Sequence, residues 1–270
     1  MSGKALLIII AIVAVVVTCC YAARSCNTGN AHAPVTTADS LMIVRAPADM
    51  QQQMLYYEGF TVSFNKDLHI PNYVAWELLG SETDGPQSRK GMKFATDSHA
   101  RGCATDNDYR GSGFDRGHMA PAGDMKWSAR AMTDCFYFTN MCPQSKQLNT
   151  GSWKTVEDNC RKWAERDSAL IIVCGPVLTD RLTQTIGKSH VAVPQRFFKV
   201  VLAPWANPPR AIGFIMNNGR VEGGAQRAAC TVDQVEAVTG LDFFSALPDD
   251  IENQVESQCN YTQWQRQRHR

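Results

Sequence analysis

Residues 114–125 read Phe-Asp-Arg-Gly-His-Met-Ala-Pro-Ala-Gly-Asp-Met. Nowhere else does the chain bring an acid, a guanidinium and a titratable imidazole so close together. Gly111 and Gly113 precede the stretch, and Pro121 and Gly123 lie near its end. Glycine admits backbone conformations that other residues resist, and proline fixes its own. The pattern therefore predicts a short strand running into a tight turn, with His118 near the strand's end. Alternate side chains of a strand share a face, so Arg116 and His118 project together. A guanidinium beside an imidazole disfavours its charged form. A neutral imidazole can accept a proton, as a general base must. The plain alternative is a loop whose charges are solvated.

Other groups could join His118 if the strand, a loop and a long helix pack together. Asn140 and Asn149 offer amide oxygens and Glu157 a carboxylate, while Arg89, Arg116 and Arg161 offer guanidinium groups. Amide and carboxylate oxygens suit a hard cation such as Mg²⁺, which keeps several waters and needs few protein ligands. Arginine forks suit phosphate oxygens. One base, one hard cation and several arginines are the equipment for phosphodiester hydrolysis. Singly each signal is weak. An Asn is usually a turn or cap residue. Glu157 and Arg161, four apart, also read as an ordinary exposed helix pair.

Certain elements must position these groups. Residues 57–65 alternate apolar and polar as a half-buried strand does, and 73–79 look like its partner after a turn at Ile70-Pro71-Asn72. Residues 81–92 form a polar loop carrying Arg89 and Lys90. A short helix is predicted over 125–135 and an aromatic strand over 136–141. The strongest helix opens at Asn149-Thr150-Gly151. In it Trp153, Val156, Cys160 and Trp163 recur at helical spacing as one apolar stripe. Residues 169–174, 197–202 and 211–216 are apolar runs short enough to be buried strands. Thr231 with Gln234 signals a capping box for a helix that Gly240 ends, and 249–257 form a last helix.

The whole chain has 270 residues and a formal net charge of +1. A strongly basic nucleic-acid binder is excluded, so any polyanion site must be a local patch. Lys4, an apolar run over 5–17 and small residues up to 23 describe a secretory signal peptide or signal anchor. We divide the chain into this segment (1–23), a linker or arm (24–50), a catalytic domain (51–260) and a basic polar tail (261–270). Export would place the protein outside the cytoplasm, secreted or periplasmic, either released or anchored in the membrane; mitochondrial import is the alternative. Of ten cysteines, eight would remain after cleavage following Cys20, and an oxidising compartment would let some pair. No Cys-x-x-Cys pair occurs, so a structural zinc site is not expected.

The run Asp115-Arg116-Gly117-His118-Met119-Ala120-Pro121-Ala122-Gly123-Asp124 resembles the signature of the DNA/RNA non-specific endonucleases, the ββα-metal (His-Me finger) nucleases that include endonuclease G. Residues 109–114, 140–144, 148–153 with Glu157, and 197–201 extend the likeness across about 55–255. The resemblance implies an α+β fold with an antiparallel sheet flanked by helices. It implies His118 as general base and Asn149 as the one direct side-chain ligand of a hydrated Mg²⁺, with Mn²⁺ a substitute. Glu157 would hold a metal-bound water, Arg161 would stabilise the phosphate, and Asn140 would support the site. Arg116 would touch phosphate or buttress the fold. An upstream phosphate-binding arginine matches Arg89, with Lys90 the alternative. Expected partners are DNA and RNA through their backbones, a membrane through the N-terminal segment, and a second copy in a homodimer. A non-catalytic nuclease-like domain and a phosphodiesterase for small nucleotides are the competing readings.

Overall fold

The structure, a computed structural model, describes residues 37–265. The export segment, the start of the arm and the last residues of the tail lie outside them. No helix among the described residues is long and apolar enough to cross a membrane.

The three apolar runs of the C-terminal half become the centre of a seven-stranded antiparallel sheet. Its strands are β1 (Gln53–Tyr56), β2 (Thr61–Asn65), β3 (Ile70–Leu79), β6 (Ala169–Pro176), β9 (Arg196–Ala203), β10 (Arg210–Asn217) and β11 (Ala229–Cys230), in that spatial order. A separate pair, β4 (Asp115–His118) and β5 (Met141–Gln144), carries the central motif, and β7 (Thr185–Ile186) with β8 (Val191–Ala192) makes a small hairpin. The helices are α1 (Ala38–Leu41), α2 (Asp106–Tyr109), α3 (Ala129–Asp134), α4 (Lys146–Leu148), α5 (Lys154–Asp167), α6 (Gly224–Ala228), α7 (Val232–Thr239), α8 (Asp249–Glu256) and α9 (Tyr261–Gln265).

Strand alternation explains why β6 is apolar throughout. Leu170, Ile172 and Cys174 enter one core with Trp76, Val201 and Phe214, while Ile171 and Val173 enter a second with Tyr73, Phe198 and Val200. A sheet covered on both faces leaves no strand position for polar alternation. On the first face lie α5 and the β4–β5 pair. The stripe of Trp153, Val156, Cys160 and Trp163 is wholly buried there, as its spacing predicts. Each such side chain contributes about 1.5–3 kcal/mol by leaving water. On the second face Val232 and Val235 of α7 and Val255 of α8 join Leu41 and Val44.

Several expectations are corrected. Residues 57–65 are not one strand: Tyr57 N–H donates to Phe60 C=O at 2.9 Å, turning the chain between β1 and β2. Gly59 permits that turn against Met125, whose sulfur lies only 2.6 Å from where a Cβ would sit. Residues 70–72 belong to β3 rather than to a turn. Pro71 is tolerated because the register shifts between Ser63 and Phe64, so a bulge takes the place of the missing donor. The aromatic stretch at 136–141 forms a tight 3₁₀ turn at Phe138–Asn140, and the strand starts only at Met141. The arm's second half is packed: Thr37 and Ser40 cap α1, and Arg45 pairs backbone with Asp242. The tail begins as α9, whose Trp264 lies 4.7 Å from the Trp163 ring. The seven described cysteines are all free thiols, against the pairing expected of an exported chain. Cys142 and Cys174 are instead small buried apolar groups.

Candidate active site

His118 ends a true strand, paired across from Met141. Its carbonyl accepts a hydrogen bond from Trp153 Nε1 at 3.1 Å, which ties the strand to the start of the long helix. The turn beyond is clamped by Asn140. The Asn140 carbonyl accepts from Met119 N–H at 3.0 Å and its Oδ1 from Ala120 N–H at 2.9 Å, while Nδ2 donates to the Ala120 and Cys135 carbonyls. Every polar group of the Asn140 side chain is thereby committed. It holds the loop and does not line the cleft described below.

The His118 ring meets Phe136 edge-on at 5.0 Å and tilts over Phe94 at 5.6 Å. Its Nε2 is buried without a hydrogen-bond partner. Burial first, and the Arg89 charge second, push its basicity down to about 3. The direction is the one expected from the sequence, but its causes are burial and then Arg89 rather than Arg116. Arg116 is anchored elsewhere, by an ion pair with Asp106 at 2.7 Å and by stacking over Phe94 and Tyr109.

Asn149 follows α4 in a loosened π-type turn, Asn149–Trp153, where Gly151 leaves helical geometry (φ −104°, ψ −114°). The long helix α5 therefore starts at Lys154, later than the predicted opening. Asn149 Nδ2 donates to Asp115 Oδ2 at 3.0 Å, so the amide oxygen is left for another partner. Glu157 lies in the first turn of α5, where the helix dipole favours negative charge. Burial, partly opposed by Lys199, still pushes its carboxyl up to about 7. Lys199 is itself 1% exposed, with its ammonium 4.3 Å from the Trp153 ring and 5.0 Å from the Trp76 ring.

Arg161 sits one turn further along α5. It donates to Asp124 at 2.7 Å and to Asp158 at 2.5 Å. Gly123 makes this approach possible, since a Cβ there would come within 2.7 Å of Arg161 Nη1. Asp124 is 1% exposed and also accepts from Trp76 Nε1 at 3.2 Å. The guanidinium is thus aimed by two carboxylates. Burial opposes its charge, but Asp124, Glu157 and Asp158 together outweigh that opposition.

Arg89, Arg116, His118, Asn149, Glu157 and Arg161 line one cleft of about 420 Å³. Lys90, the alternative to Arg89, is not on its wall. The sequence reading missed Lys154, which lines the cleft and pairs with Asp158 at 2.5 Å. Its three-residue offset from Glu157 was the available signal. It also missed the aiming carboxylates Asp115, Asp124 and Asp158. The first two lie within the motif, but nothing in their spacing names their partners. The donor set fits a hard cation: one free amide oxygen and one carboxylate, with no soft ligand on the wall. The guanidinium groups of Arg89, Arg116 and Arg161 on the same cleft fit phosphate.

Comparison with known proteins agrees with this geometry. Residues 37–250 match the sequence profile described as DNA/RNA non-specific endonuclease. The chain is 33% identical to "Nuclease EXOG, mitochondrial" of Homo sapiens over 216 residues, covering 73% of this chain and 59% of that protein. It is 32% identical to "Endonuclease G, mitochondrial" of Homo sapiens over 205 residues, covering 71% and 69%. It is 31% identical to "Nuclease C1" of Cunninghamella echinulata var. echinulata over 212 residues, covering 73% and 84%. The matched part spans about three fifths of the EXOG relatives (61% in Danio rerio, 56% in Mus musculus). The fold is similar to that in the crystal structure of the EndoG/EndoGI complex, with a TM-score of 0.69 at 24% identity over 74% of this chain and 88% of that one. The profile match over most of the described residues shows that the chain belongs to the DNA/RNA non-specific endonuclease family.

Proposed function

We propose that the protein is a metal-dependent, sugar-non-specific endonuclease that hydrolyses phosphodiester bonds in DNA and RNA. The observation that carries this is the convergence of His118, Asn149, Glu157 and Arg161 on one cleft. His118 accepts the proton of the attacking water. Its depressed basicity in the free protein suits a base that stays unprotonated until needed, and an arriving phosphate's negative charge favours the imidazolium as the proton transfers. Arg161, aimed by Asp124 and Asp158, stabilises the extra negative charge that builds at phosphorus. Arg89 draws the phosphate into the cleft. Arg116 acts chiefly as a buttress, because Asp106 and two aromatic faces already engage it, with one edge left on the cleft wall.

Asn149 through its free amide oxygen, and Glu157 through water, would hold Mg²⁺, with Mn²⁺ as a substitute. Such an ion supplies charge neutralisation at the leaving oxygen. Asp115 orients Asn149 for this by accepting from its Nδ2. Asn140 acts at one remove by fixing the turn after His118. Recognition through phosphates alone carries little sequence information, so DNA and RNA are both substrates and binding weakens with salt. The related EXOG and endonuclease G proteins are named mitochondrial, and the free thiols fit a compartment that does not enforce disulfides. Both favour mitochondrial import over secretion.

The test uses purified protein with supercoiled plasmid and with RNA, with Mg²⁺ or Mn²⁺, with and without chelator. Cutting of both polymers that the chelator abolishes is expected. Failure to cut either polymer with any divalent metal would overturn the proposal in favour of a non-catalytic domain.

A further inference from the structure

The opposite face of the sheet carries a second gathering of oxygen ligands. Asp233 and Glu236 stand three apart on α7 and so share a side of that helix, and Glu256 closes α8. One carboxylate oxygen from each lies within 4.8 Å of the other two. Glu256 is only 6% exposed, and its Oε1 is buried with no hydrogen-bond partner. Glu236 commits Oε1 to the Phe243 N–H at 2.8 Å, which leaves its second oxygen.

The surroundings sharpen this deficit. Glu256 sits at the negative end of the α8 dipole, and no basic residue occupies that last turn. Asp242 and Glu252 add further negative charge. Arg45 faces the group from the arm, but it is paired with Asp242 at 3.5 Å. Burial first, then Glu236, Glu252, Asp233 and Asp242, push the Glu256 carboxyl up to about 9. An orphaned oxygen in such a place calls for a proton or a cation. A proton would serve one carboxylate and leave the others repelling. A cation engages all three at once.

The spacing is of the order a shared cation requires. Bonds of about 2.4 Å let two ligands on one ion stand at most ~4.8 Å apart. Ca²⁺ accepts irregular sets of oxygens, whereas Mg²⁺ demands a near-ideal octahedron and sheds water reluctantly. We infer that Asp233, Glu236 and Glu256 form a second divalent-cation site, of the calcium type, that pins α7 to the end of α8. The sheet separates it from the cleft, so its role is to hold the C-terminal helices together rather than to cut phosphodiesters.

Equilibrium dialysis against CaCl₂ tests this on the full chain and on Glu256→Gln, which keeps size and polarity while removing the charge. The variant should bind one calcium ion fewer per chain. At a calcium concentration ten times the dissociation constant, the unmodified chain should melt about 3 °C higher or more, and the variant should not respond. The difference between the two chains isolates this site from any ion in the cleft, and neither readout depends on nuclease activity. Equal ion counts, or equal calcium-dependent shifts, would overturn the inference. So would a variant that melts higher than the unmodified chain at every calcium concentration, which would identify a site held by a proton alone.

Discussion

Asp124 under the cleft and Glu256 between α7 and α8 are both buried carboxylates, and they meet the cost in opposite ways. Under the cleft, Asp124 is enclosed, but it receives Arg161 at 2.7 Å and Trp76 Nε1 at 3.2 Å. Between α7 and α8, Glu256 is nearly as enclosed and its Oε1 receives nothing. Removing a charge from water costs several kcal/mol unless a partner repays it. The first region repays it with protein and gains a rigidly aimed guanidinium. The second leaves the debt open for something outside the chain. Enclosure alone therefore does not mark a carboxylate as structural or functional; what it faces does.

The largest expected effect breaks the compensated side. Asp124→Asn should lower stability by about 3–5 kcal/mol in urea unfolding, because Arg161 then lies buried without its main partner. A loss below about 1 kcal/mol would mean that Asp158 alone suffices. Next, His118→Ala should reduce kcat at least about a hundredfold in a plasmid-nicking assay while the circular dichroism spectrum stays that of the unmodified chain. Near-normal turnover would remove the imidazole from its role. Asp115→Ala should then raise the Mg²⁺ concentration for half-maximal cutting roughly 10- to 100-fold, because Asn149 loses the acceptor that orients its amide. An unchanged metal titration would separate Asn149 from the ion.

A smaller effect concerns acid. Burial, then Arg89, hold folded His118 near 3, against 6.5 for the unperturbed ring. Below pH 6.5 the unfolded chain takes up a proton that the folded ring refuses, so stability falls as pH drops from 6.5 towards 3. In His118→Ala this part of the decline should be absent, and the stability curve over that window should be flatter. A slope identical to the parent's would show that the ring protonates in place. The smallest effect lies at the open side. Without calcium, Glu256→Gln should be neutral or stabilising by about 1 kcal/mol, the reverse in sign of Asp124→Asn.

The same contrast explains what could be read from residue order. The strand and turn around His118 were legible because glycine and proline punctuate them, and the buried face of α5 because four large side chains recur at helical spacing. The sheet's centre was legible as three apolar runs. Legibility failed where the decisive partner is remote in the chain. Nothing near His118 announces its burial between Phe94 and Phe136 or the nearby charge of Arg89. Nothing in Asn149 announces Asp115. Nothing in the sequence joins Asp233 and Glu236 to Glu256, and only the packing of two helices makes them a group. The strands misassigned at 57–65 and 136–141 have another cause. There, local hydrogen bonds, the backbone bond from Tyr57 to Phe60 and the side-chain bonds of Asn140, fix bends that hydrophobic patterning does not record.

One contact described above reaches further than its length suggests. The indole of Trp153 grips the carbonyl of His118, and it belongs to the turn that delivers Asn149. The ring of His118 and the amide of Asn149 are therefore riveted to the same bracket, and under the proposed function the proton acceptor and the cation holder would keep their spacing together.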